Sequence, residues 1–130
     1  MDRARLASTF NELYLGDSLL EAIELKTAEA ECRLRFNAGK ILKGDGASIF
    51  DPKAKFEPAL LCFHGVRSIA FGGPYQLNST VVDFGAADTA GGQYVDFYFD
   101  LTGGTDPDAY LVRINIVARS FDFGPWNSPG

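Results

Sequence analysis

QYVDFYFDL, residues 93–101, decides the fold class: Val95, Phe97, Phe99 and Leu101 share one parity, and Tyr94, Asp96, Tyr98 and Asp100 share the other. Successive side chains of an extended chain point to opposite sides, so a period of two marks a strand with one face in a core and one toward water. A helical period would smear the same apolar residues around a cylinder.

Working outward, STVVDF (79–84) reads as a short strand and GAADTAGG (85–92) as a small-residue loop. On the other side TGGTDPD (102–108) turns the chain. AYLVRINIVARSF (109–121) then alternates again, with Val112, Ile114, Ile116 and Ala118 on one parity. ALLCFHGVRSIAF (59–71) is apolar on both parities as far as Val66, which predicts either a strand covered on both faces or one bent at Gly65. GGPYQLNS (72–79) is a turn or loop. Nearer the N-terminus, Cys32, Leu34 and Phe36 alternate with Arg33, Arg35 and Asn37. Leu19, Ile23 and Leu25 share a parity in the preceding stretch, and residues 28–30 link the two as a hairpin. GDGASIFDPKAKFEP (44–58) breaks the pattern with Gly, Pro and mixed charge, as expected of a long irregular excursion.

Only the first residues carry a helical signal. Leu6, Phe10 and Leu13 form one apolar stripe within residues 1–15, and Gly16 supplies a stop. At the other end DFGPWNSPG (122–130) reads as a tail, whose Phe123 and Trp126, with Phe121 just before it, suit a docking or edge-covering arm. The expectation is one mainly β domain over 1–130, α+β by helix count. It is an antiparallel β sandwich, or a curled sheet, fronted by one N-terminal helix.

Composition narrows the function. With 130 residues and 46% hydrophobic content the chain can bury a full core. A net charge of −5, with Lys and Arg scattered, disfavours nucleic acid and anionic membrane surfaces as partners. No apolar run approaches the ~20 residues that span a bilayer, and the N-terminus lacks an apolar signal core, so the expected location is cytoplasmic. Two cysteines, Cys32 and Cys62, are too few for a disulfide framework, and with His64 as the sole histidine they serve a four-ligand zinc site poorly.

His64 is the one imidazole through which acid–base catalysis would run, but spacing assigns it no nucleophile with an orienting carboxylate. Cys62 and His64 share a strand face at roughly 7 Å, which argues against a dyad. The Gly-Gly pairs at 72–73, 91–92 and 103–104 lack phosphate-loop spacing and suit turns. No catalytic residue, metal ligand set or cofactor is therefore expected. Two surface readings remain. Tyr94, Asp96, Tyr98 and Asp100 line the non-core face of one strand and suit contact with a basic protein partner. Asp83, Asp88, Asp106 and Asp108 sit in or near expected loops and suit a small ligand or calcium.

LYLGDSLLEAIEL (13–25) and TGGTDPDAYLVRINI (102–116), together with the short leading helix, resemble families of small bacterial domains without an assigned function. Some families of this shape are immunity-type proteins that neutralise a partner toxin. The resemblance implies a non-enzymatic protein-interaction module and carries over no functional residue.

Overall fold

The computed structural model describes residues 3–11, 18–40, 56–74, 79–88, 93–103 and 110–125. Among the described residues one helix, α1 (Arg3–Asn11), leads into eight strands: β1 (Leu20–Lys26), β2 (Glu31–Lys40), β3 (Phe56–His64), β4 (Ser68–Gly72), β5 (Thr80–Asp88), β6 (Val95–Gly103), β7 (Tyr110–Ala118) and β8 (Ser120–Pro125). They form two four-stranded antiparallel sheets in the orders β1-β2-β3-β8 and β4-β7-β6-β5. The mainly β expectation with one N-terminal helix holds.

The alternating segments supply the core. Val95, Phe97, Phe99 and Leu101 of β6 face Val112, Ile114, Ile116 and Ala118 of β7 on one side, and Cys32, Leu34, Phe36, Leu61 and Phe63 come from the first sheet, all buried. Helix α1 closes one end with Leu6, Ala7 and Phe10, the last fully buried. The Phe10 ring is the hub of an aromatic cluster, with centroids at 4.8 Å to Phe97, 5.2 Å to Phe121, 5.8 Å to Phe99 and 5.9 Å to Phe84. At the helix C-terminus the Asn11 amide donates to the Ala86 carbonyl at 3.2 Å and its carbonyl oxygen accepts from the Ala86 N–H at 2.8 Å. The side chain thus occupies backbone groups on the outer edge of β5 that would otherwise invite strand pairing.

The 59–71 stretch takes the bent alternative. Gly65, with φ of 61°, turns the chain out of β3 in one sheet and into β4 in the other. At the same corner β7 passes into β8 across Arg119, whose N–H donates to the His64 carbonyl at 3.0 Å, while Arg67 N–H donates to Val117 at 2.7 Å. The opposite corner is stitched more lightly. An isolated bridge joins Leu19 to Thr80, and Leu20 and Val81 donate to the Ser79 and Ser18 carbonyls at 2.9 and 2.8 Å. The sheets meet there without closing into a barrel.

Four expectations are corrected. Residues 122–125 are not tail but the end of β8, where Pro125 is tolerated because β8 is an edge strand and needs no outward N–H. Residues 85–88 extend β5 instead of forming a loop, since Gly85 leaves room for the Tyr98 ring across the strand pair. Residues 56–58 belong to β3, not to the excursion. In β1 a bulge between Leu20 and Ala22 shifts the register, so Leu20 and not Leu19 joins the core, and Leu25 at the strand end stays 52% exposed. The described helix spans Arg3–Asn11, within the expected 1–15; Leu13, Gly16, most of 44–58 and Trp126 lie outside the described residues.

Candidate functional site

Each sheet turns an organised polar face outward. On the second sheet, Tyr94, just before β6, and Asp96, Tyr98 and Asp100 on its non-core parity are all half-buried, as the alternation predicts. Register sets their partners. Asp100 lies opposite Arg113 of β7 and is gripped by a two-pronged contact, Nε to Oδ1 at 2.7 Å and Nη2 to Oδ2 at 2.8 Å. The same guanidinium stacks over Tyr98 at 4.5 Å from the ring centroid. Tyr98 O–H reaches Asp83 of β5 at 3.4 Å, and Asn115 donates to Asp96 at 3.2 Å. The guanidinium groups of Arg67 and Arg119 each lie over the Tyr94 ring, 5.5 Å from its centroid. Sequence reasoning identified the aromatic and acidic half of this ladder and missed its basic half, Arg113 and Arg119. Their outward parity on the 109–121 stretch was the available signal.

The ladder shifts its own proton equilibria. Hydrogen bonding from Arg113 holds the Asp100 carboxyl below its ordinary 3.8, and partial burial together with Asp83 raises the Tyr98 phenol. A carboxyl with a depressed folded-state value adds stability that is present above its unfolded value and lost as pH falls through the folded one. The stability difference between the native protein and Asp100→Asn should therefore be constant from pH 7 to 5 and shrink below about 4. Urea unfolding at pH 7, 5 and 3 reads it, and a difference that grows on acidification would contradict the pairing.

Of the four aspartates assigned to a ligand or calcium site, Asp83 and Asp88 are both exposed on β5. Five residues of strand separate them by about 17 Å, and Asp83 is engaged by Tyr98 and by the Phe84 N–H at 2.9 Å. Asp106 and Asp108 lie outside the described residues.

On the first sheet, β2, β3 and β8 bring together a second group. His64 Nε2 is 2.6 Å from Asp122 Oδ2, and Nδ1 is 3.3 Å from Glu31 Oε1. Arg33 Nη2 approaches Glu31 Oε2 at 3.4 Å. Cys62 lies opposite Arg33 on one side and Asp122 on the other. Donor atoms of Glu31, Cys62 and His64 all fall within 4.8 Å of one another, nearer than the strand spacing of Cys62 and His64 suggests, because side chains reach inward from their Cα positions. Burial pushes the Cys62 thiol up, Glu31 adds to the rise and Arg33 offsets part of it. Cys32, on the core side, is pushed up to about 12, chiefly by burial. Neither thiol has the lowered value of an activated nucleophile. Among the described residues no helix is long and apolar enough to cross a membrane.

Comparison of the chain with protein-family models, with curated proteins and with solved structures returns no match.

Proposed function

We propose that the protein is a non-enzymatic cytoplasmic interaction module that binds a basic partner protein through the outer face of β5, β6 and β7. One observation carries this reading: Tyr98 lies under the Arg113 guanidinium and reaches Asp83, with Leu111 66% and Val82 52% exposed on the neighbouring strands. Interface centres favour Tyr and Arg anchors already fixed in place, because little side-chain entropy is then lost on binding. Exposed Leu111 shares the outward parity of Arg113 and adds apolar area beside the anchors. The net charge of −5 would speed encounter with a basic surface without itself setting affinity.

The test is capture from the source lysate with tagged native protein, with Leu111→Arg, and with Leu25→Arg as a control on the other sheet. The expected result is one stoichiometric basic protein, released by salt, kept by Leu25→Arg and bound at least about tenfold more weakly by Leu111→Arg. Retention of that protein by Leu111→Arg, or capture of none at low salt, would overturn the proposal.

A further inference from the structure

We infer that Glu31, Cys62 and His64 form a binding site for a zinc-class divalent ion on the outer face of the first sheet, with Asp122 positioning the imidazole. Strand pairing brings the donors together: Arg33 is in register with Cys62, which places Glu31 across from His64, and Cys62 is in register with Asp122. The three donor atoms lie within 4.8 Å of one another. Around a tetrahedral zinc ion, neighbouring N, O and S ligands stand roughly 3.3–3.7 Å apart. Half-buried Glu31 and His64 close that gap by small side-chain rotations.

A second observation is the carboxylate behind the imidazole: Asp122 Oδ2 sits 2.6 Å from Nε2, and the other ring nitrogen, Nδ1, faces Glu31 Oε1 at 3.3 Å. A carboxylate on the far nitrogen is the usual support of a metal-ligating histidine. With Cys62 bound as thiolate, the three anions Glu31, Cys62 and Asp122 would be balanced by a divalent ion together with the Arg33 guanidinium, which approaches Glu31 Oε2 at 3.4 Å. When the Sγ–metal bond forms, the thiol proton passes to solvent. Mixed thiolate, imidazole and carboxylate donors select zinc over calcium or magnesium, which take oxygen ligands. Three protein ligands leave a fourth position for water, as the exposure of His64 allows.

The site is independent of the proposed partner face and is tested apart from it. Reduced, chelator-treated protein is titrated with Co²⁺ and then Zn²⁺. One Co²⁺ per chain should bind with tetrahedral visible bands and a thiolate charge-transfer band, all bleached by one equivalent of Zn²⁺. Cys62→Ser should abolish the charge-transfer band and Cys32→Ala should retain it. Asp122→Asn should keep the band but weaken Zn²⁺ about 10–100-fold. A native protein without the charge-transfer band, or a band that survives Cys62→Ser, overturns the assignment. In the native chain, ¹⁵N shifts of the His64 ring give a reading independent of any variant's folding. Nδ1 should move on Zn²⁺ addition, and an imidazole doubly protonated before and after would leave only an ion pair with two carboxylates.

Discussion

Phe10→Ala is expected to cost about 3–5 kcal/mol of unfolding free energy, a large share of the roughly 5–15 kcal/mol that holds a domain together. The ring is fully buried and meets Phe97, Phe121, Phe99 and Phe84 in edge-on contacts at 4.8–5.9 Å between centroids. Those neighbours belong to β5, β6 and β8, strands held in place by their own ladders, so they cannot collapse into the space that truncation leaves. The helix also suffers. Nine residues make a helix that is marginal in water, and without Phe10 the docking left to it among the described residues is that of Leu6, Ala7 and the Asn11 contacts to Ala86. Urea unfolding should show the loss, and hydrogen exchange should show α1 amides opening before the strands. A loss below about 1 kcal/mol would mean that the helix is peripheral to the core.

Gly65→Val is expected to lose about 2–4 kcal/mol through two separate effects. At φ of 61° the residue occupies the left-handed region, which a β-branched side chain enters only at a steric cost. An added Cβ would also stand 3.0 Å from Cγ and Cδ of Arg119, at the point where β7 crosses into β8. Gly65→Asn separates the effects, because Asn tolerates the backbone angle while keeping the contact, and should lose less. Gly124→Ala is the control: its Cβ would meet nothing within 4 Å, so it should leave stability nearly unchanged. Equal unfolding midpoints for Gly65→Val and the native protein would show that the crossing does not depend on this angle.

Individual elements show how far local pattern reaches. The alternation in 93–101 locates β6 and sorts its faces correctly from Tyr94 to Leu101, because over those residues each inward position is filled by a large apolar side chain and each outward one by Tyr or Asp. The β8 segment defeats the same reading. Phe121 and Phe123 pack on the core while Gly124 and Pro125 have the composition of a loop, and nothing local reveals that they end an edge strand. In β1 a single bulge exchanges Leu19 for Leu20, since one extra residue reverses every side chain beyond it.

The sites divide in the same way. Tyr94, Asp96, Tyr98 and Asp100 were legible as one face, but their half-buried, paired condition depends on Arg113 and Asn115 of β7 and on Arg67 and Arg119 at the crossings between the sheets. Cys62 and His64 were legible as neighbours; Glu31 and Asp122 were not. They come from strands far apart in the chain, and counting only Cys and His as ligands hid the carboxylates that complete the group.

By itself the sequence determined that the chain is mainly β, which residues of β2, β6 and β7 face the core, and that a short helix leads them. Those properties follow from the two- or 3.6-residue period of the local backbone. Tertiary structure alone decided the strand order, the change of sheet at Gly65 and Arg119, the capture of the β5 edge by Asn11, and the meeting of Glu31, Cys62, His64 and Asp122. Each of these rests on which strands become neighbours, and that choice is made by long-range packing of both sheets around one buried cluster, to which no local period responds.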